Sequence, residues 1–375
     1  MRFSETVGQE SVITKLTHSV NNGRISHAQL FYAKEGAGAL PLALAYIQFI
    51  ACPNRSETDS CGQCATCKKL SSFSHADLHF AFPIISGAKI SDSDAFIAEW
   101  RQLISKTPYF SFVDWREMIG AEKKQLNIPV KESDRISKKL SLKSYEGGYK
   151  FMVIWLAEYM KAPTANKLLK LIEEPPEKTL IILVTNNFEN IISTILSRTQ
   201  LVKLNIPKDE EVATYLTQNY GVSEESAAQS ARLADGNVAQ AIHLAKNENP
   251  DANHLEIFTV LMRAAYKKDI VAAIDWADSL HKLGREDLKQ FLTYSMHMVR
   301  QCIIGNYAGV AMRKLNDQES AFANKFSPFI NHSNVIEVYE ELSKAEADIA
   351  RNGYAKIILL DMAIELFRRI KPRKG

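Results

Sequence analysis

"YAKEGAGALPLALAY", residues 32–46, has the glycine spacing of a phosphate-binding loop without the residues that grip a phosphate. "QLFY", residues 29–32, leads into it as a short apolar run, and "LALAYIQFIA", residues 42–51, follows Pro41 as an apolar helix. Strand, glycine loop and helix in that order open a mononucleotide-type fold. Two more strand candidates, "KFMVIWLA" at 150–157 and "TLIILVTNN" at 179–187, are apolar on nearly every residue. Such runs suit a parallel sheet covered on both faces, so the expected class is α/β.

The chain around this core is long enough, at 375 residues, for two or three domains. Lys and Arg number 46 against 43 Asp and Glu, and a net charge of +3 gives no large field for holding a polyanion unaided. A nucleic-acid binder acting alone is therefore disfavoured. The N-terminal "MRFSETVGQE" has no apolar signal core, and no run reaches the ~18 apolar residues of a membrane span. The expectation is a cytoplasmic protein with no membrane partner.

Between the later strands, "ANKLLKLIEE" has helical spacing and stops at Pro175 and Pro176. Residues 208–246 read as a small helical unit, with Ser223 and Asn237 as N-caps. Polar "KNENPDAN", 246–253, is the expected linker. Beyond it "LEIFTVLMRAAY", "DLKQFLTYSMHMVRQCII" and "KIILLDMAIELFRRI" show helical spacing throughout. Residues 78–140, including aromatic "TPYFSFVDWREM", carry no motif.

"CPNRSETDSCGQCATC" sets Cys52, Cys61, Cys64 and Cys67 at C-x8-C-x2-C-x2-C, four of the five cysteines within one short stretch. Four thiolates at such spacing suit a closed tetrahedral zinc site, structural because no coordination position is left open. Unpaired or redox-active thiols are the alternative. Cys302 lies in an apolar helix and is expected in the core. Arg55 is the one basic residue between the ligands, which argues against a phosphate-binding surface there.

A working loop of the form G-x-x-x-x-G-K-[ST] uses its lysine on the terminal phosphates and its hydroxyl on magnesium. Here Gly38 keeps the second glycine, while Ala33, Ala39 and Leu40 stand where glycine, lysine and hydroxyl belong. Lys34 comes five residues too early. The acidic pair that would complete the site at the end of the 150–157 strand reads Trp155 and Leu156. Glu158 follows two residues late and is expected as an exposed acid at a helix start.

Together, "SETVGQESVITKLTHSVNNGRISHAQLFYAKEGAG", the cysteine cluster, "NKLLKLIEEPPEKT" and "ISTILSRTQ" resemble the bacterial DNA polymerase III clamp-loader subunits of gamma, tau and delta prime type, in the AAA+ class. The resemblance implies a RecA-like AAA+ core at 1–206 with its zinc module at 52–67, a helical lid at 207–247 and an all-α collar at 248–375. Gamma and tau keep the loop lysine and the acidic strand end; the losses here are similar to the family's non-hydrolysing type. No ATP is then expected in the chain's own site. Arg198, in "LSRTQ", falls where the family carries an arginine finger directed at a neighbouring subunit's ATP, although Thr199 replaces the usual cysteine. Gln240 stands where a second sensor arginine would be, and Thr185 and Asn186 are taken as structural. Implied partners are gamma or tau and delta subunits, the sliding clamp, and primed DNA within the complex. Two other readings stay open: a gamma-like ATPase, and a stand-alone zinc-containing nucleic-acid binder.

Overall fold

A five-stranded, all-parallel sheet forms because buried apolar strands alternate with helices that cover both faces, with a short, mostly exposed strand at one edge. The computed structural model describes residues 1–85, 91–122, 124–246, 252–280 and 283–370. In chain order, α1 (Glu10–Asn21), β1 (Ala28–Tyr32), α2 (Ala39–Ala51), α3 (Ala65–Ser71), β2 (Leu78–Ala81), α4 (Ile97–Lys106), α5 (Phe112–Met118) and α6 (Val130–Ser141) precede the central strands. Then come β3 (Lys150–Trp155), α7 (Ala162–Glu173), β4 (Thr179–Thr185), α8 (Ser193–Leu196) and β5 (Gln200–Lys203).

The strand order is β2-β3-β4-β1-β5, with Leu30 opposite both Leu183 and Leu201. Side chains alternate between the faces. Phe31, Phe151, Val153, Leu180, Ile182 and Val184 join one core with α2, α4 and α5. Leu30, Met152, Ile154, Ile181 and Leu183 join the other with α6 and α7. Each such side chain contributes about 1.5–3 kcal/mol on burial, so a sheet covered on both faces is strongly favoured.

Several boundaries differ from the sequence expectation for identifiable reasons. Helix α2 begins at Ala39, with Pro41 already in its first turn; amides of a first turn have no helical partner, so the proline costs nothing there. Strand β3 ends at Trp155 because Leu156 adopts φ +53 and turns the chain. The motif-free segment supplies β2, a strand too short to announce itself, and an aromatic layer. Phe82 stacks on Trp100 at 4.4 Å, and Trp100 meets Trp155 at 5.2 Å. Trp115 closes the layer, its indole donating to the Pro83 carbonyl at 2.8 Å.

The small helical unit forms α9 (Asp209–Tyr220), α10 (Glu224–Ala234) and α11 (Val238–Ala245). Ser223 caps α10 by accepting from the Ser226 amide, and Asn237 accepts from the Gln240 amide at 3.0 Å. These three helices group with the sheet in one compact unit, and the chain beyond Ala245 forms a second. Of the expected linker, 247–251 lie outside the described residues, and Ala252 already opens a helix. The second unit comprises α12 (Ala252–Lys267), α13 (Ile270–Leu280), α14 (Arg285–Tyr307), α15 (Asp317–Phe326), α16 (Val335–Ala350) and α17 (Ala355–Arg369), packed around Phe258, Phe291, Leu342 and Leu366. Cys302 is buried in this core, as expected. Among the described residues no helix is long and apolar enough to cross a membrane.

Trp100 is fully buried and touches five other aromatic side chains, Phe80, Phe82, Phe110, Trp115 and Trp155. Trp100→Ala is expected to cost about 3–5 kcal/mol, read as a lowered denaturation midpoint with an unchanged denaturant slope.

Candidate functional site

The glycine loop turns sharply between β1 and α2, with Gly36 at φ +72 and Gly38 at φ +94. A Cβ on Gly36 would lie 1.8 Å from Asn237 Oδ1, and one on Gly38 would lie 3.0 Å from the ring of Tyr109. Glycine is therefore required twice over, by backbone conformation and by close approach. What approaches is the protein itself. The Val238 amide donates to the Gly36 carbonyl at 3.0 Å, and the Tyr109 hydroxyl accepts from the Val7 amide at 2.8 Å. Tyr109 is 4% exposed, and burial pushes its phenol well above the ordinary tyrosine range.

A second contact fastens the three-helix unit over this region. His243 of α11 meets Asp114 of α5 at 2.9 Å. Burial opposes the Asp114 carboxylate, yet the His243 ring together with the Ser111 amide and hydroxyl holds its pKa below the usual value. Tyr109 also packs edge-on to Tyr215 of α9, with centroids 5.2 Å apart.

The positions singled out in the loop lie in the core. Ala33, Ala37, Ala39 and Leu40 are all buried members of the cluster under α2. Trp155 and Leu156 belong to the same cluster, with Trp155 against Phe110 at 5.1 Å. The positions where lysine, hydroxyl and carboxylates would stand are thus occupied by one continuous apolar packing. Tyr109 and Phe110 are what sequence reasoning missed here. Their run of aromatics was visible, but nothing local connects it to a glycine loop some seventy residues earlier.

Glu158 departs from expectation. It lies in a single 3-10 turn, Ala157–Tyr159, but it is half-buried rather than exposed. Its Oε1 accepts from the Asn186 amide at 3.0 Å, while Oε2 is buried and accepts no hydrogen bond among the described residues. Burial raises its pKa above the usual carboxylate value. Chain reversal at Leu156 tucks this acid against the end of β4, which a count of residues along a strand could not foresee. Thr185 turns its hydroxyl back onto Asn187, consistent with a role in shaping the strand end. Gln240 is half-buried on α11.

Arg198 follows α8 and is exposed. Its Nε is paired with Glu173, and its Nη1 donates to the Thr194 carbonyl at 3.0 Å and to the Ser197 hydroxyl at 3.1 Å. An exposed ion pair of this kind is worth about 0–1 kcal/mol, so the guanidinium can exchange Glu173 for another anion at little cost.

Cys52, Cys61, Cys64 and Cys67 place their sulfurs within 4.8 Å of one another. The Cys52–Cys61 and Cys61–Cys67 separations are 3.5 and 3.9 Å. Tetrahedral ligation at about 2.3 Å per sulfur requires sulfurs about 3.8 Å apart, so the four residues fit a metal ion. Amides of Cys61, Cys64 and Cys67 donate to the sulfurs of Cys52, Cys61 and Cys64, each at 3.4 Å. Amides of Gln63 and Cys64 bring the Cys61 thiol down to about 6, whereas burial raises Cys52 and Cys67.

A parallel sheet with its glycine loop after β1, grouped with three further helices, is the architecture expected of an AAA+ type module. A family model described as DNA polymerase III, delta subunit, matches residues 8–208, and the chain belongs to that family. DNA polymerase III subunit delta prime of Bacillus subtilis is 28% identical over 240 residues, 64% of this chain and 60% of that protein. The Escherichia coli subunit of the same name is 25% identical over 272 residues, 72% of this chain and 68% of that one. DNA polymerase III subunit gamma of Buchnera aphidicola is 25% identical over 264 residues, covering 69% and 62%. The chain thus spans about 60% of the Bacillus relative's length.

Two outcomes test this geometry. Tyr109→Phe leaves the Val7 amide without its acceptor and is expected to cost about 1–3 kcal/mol in chemical denaturation. Because the Asp114 carboxyl is depressed in the folded state, its contribution is complete above the ordinary carboxylate pKa and is lost as pH falls through the lower folded value. Stability should therefore drop below about pH 4, and Asp114→Asn should remove part of that drop.

Proposed function

We propose that the chain is a non-hydrolysing, delta prime type subunit of a DNA polymerase III clamp loader, acting in the cytoplasm to help place the sliding clamp on primed DNA. The observation that carries this reading is the filling of the cleft by its own side chains. Tyr109 and Asn237 stand against the two glycines of the loop, and Ala39, Leu40 and Trp155 are core residues. Neither a lysine for the phosphates nor a hydroxyl for magnesium is offered by the loop, so the chain would hold no ATP there. In this reading residues 1–206 are the AAA+ core, 207–247 the lid and 248–375 the collar that joins gamma or tau and delta subunits.

Arg198 would leave Glu173 and direct its guanidinium at the ATP of the adjoining gamma or tau subunit, stabilising the charge on the transferring phosphoryl group from outside that subunit. Such a residue is worth ~10³–10⁵ in rate at the site it serves. In the complex reconstituted with the same organism's gamma or tau and delta subunits, Arg198→Ala should preserve assembly and sharply lower ATP turnover. Unchanged turnover would remove the arginine from the mechanism.

The four cysteines would hold a structural zinc, whose charge offsets converging thiolates and replaces the core that so short a loop cannot build. Cys61→Ser is expected to lose about one zinc per chain by elemental analysis and to lower thermal stability. Full stability without bound metal would leave the cluster as free thiols.

One observation favours the competing reading of a gamma-like ATPase: Glu158 offers a buried, incompletely paired carboxyl at the end of β3. That reading requires magnesium-dependent ATP turnover by the isolated chain, abolished in Glu158→Gln. The proposed one requires none in either protein.

A further inference from the structure

Among the exposed large apolar side chains of the described residues, Tyr145 stands furthest out, at 84%, and Leu142 of the same loop is also exposed. Exposure of this degree on a mobile loop would mean little. Here the loop is held from both ends. Buried Asp77, just ahead of β2, accepts from the Ser144 hydroxyl and the Glu146 amide at 2.8 Å and from the Tyr145 amide at 2.9 Å. The Lys150 ammonium, at the start of β3, donates to the Leu140 carbonyl and, at 2.9 Å, to that of Leu142. Lys69 of α3 grips the Glu146 carboxylate at 2.7 and 2.9 Å. Two buried charges thus fix the backbone under a tyrosine that touches almost nothing. A Cβ on Gly147 or Gly148 would meet no atom within 4 Å, so the space after the ring is open.

Lysines occur on the loop itself, on the helix that leads into it and beside the Lys69 that grips it. Lys68 on α3, Lys138 in the last turn of α6 and Lys143 in the loop are exposed and form no ion pair among the described residues. Three acids of this part of the sheet are engaged: Glu146 by Lys69, Asp77 by its three donors, and Asp94 by Arg135 and Lys139. Protein interfaces centre their aromatic anchors on apolar surface and deplete lysine there. A rigid, exposed ring with unpaired lysines on its own loop and on the helices at either side of that loop has instead the two parts of a single-strand binding surface, a face for one base and cations for the backbone.

We propose that Tyr145 is a stacking platform for an unpaired base, with Lys68, Lys138 and Lys143 contacting phosphates of the same single strand. A duplex keeps its bases stacked inside and cannot use the ring, so the surface selects single-stranded nucleic acid. The surface stands apart from the glycine loop, and it holds whether or not the cleft binds nucleotide.

Fluorescence anisotropy of a labelled oligothymidylate with the full chain at low salt tests this directly. Tyr145→Ala should weaken binding about tenfold or more, while Tyr145→Phe, which keeps the ring face, should bind like the parent. Lys143→Gln should lessen the salt slope by about 0.7, as expected for one lost phosphate contact on a single strand. Because all these side chains are exposed, thermal unfolding of the variants should match the parent. Equal affinity of Tyr145→Ala and parent, a preference for duplex of the same length, or tighter binding of polyglutamate that ignores Tyr145 would each overturn the proposal.

Discussion

The contact on which the candidate site depends is that between Tyr109 and the glycine loop. A buried phenol ring presses on Gly38 while its hydroxyl takes the amide of Val7, tying the segment before α5 to both the loop and the chain's first turns. The three-helix unit adds Asn237 against Gly36 and His243 on Asp114. Because these contacts converge, the loop is fixed by intramolecular packing. The same aromatic layer reaches Trp155 at the end of β3, so both halves of what would be a nucleotide site are joined in one core.

Much of this was legible in the sequence, for physical reasons that differ by element. The continuous apolar runs of β3 and β4 could only be strands covered on both faces, and their order around the glycine loop implied the parallel sheet. Ser223 and Asn237 revealed themselves as caps because a small polar side chain before an apolar helix has few other uses. Cysteine spacing carried the four-sulfur cluster, since C-x2-C turns point their thiols to one side. Long-range pairing was not legible. Strand β2 spans only Leu78–Ala81, and Tyr109 acquires meaning through a loop far away in sequence. Glu158 looked exposed because its position was counted along a strand, whereas Leu156 reverses the chain and buries it.

The charged groups divide in the same way. Arg198 sits in a weak exposed pair that an outside anion can displace, which suits a residue whose partner lies on another chain. Asp77 and Lys150 are buried and bond the end of α6 and the loop that follows it, which holds the backbone at Tyr145 in place. In the proposed function, the packed glycine loop, the exchangeable arginine and the fixed exposed ring would each serve other molecules of the complex.

The most direct measurement is amide hydrogen exchange of the full chain across residues 7–9 and 33–42, with and without magnesium and ATP. A cleft already closed by Tyr109 and Asn237 predicts slow exchange that saturating ATP leaves unchanged. New protection of the loop on adding ATP would contradict it.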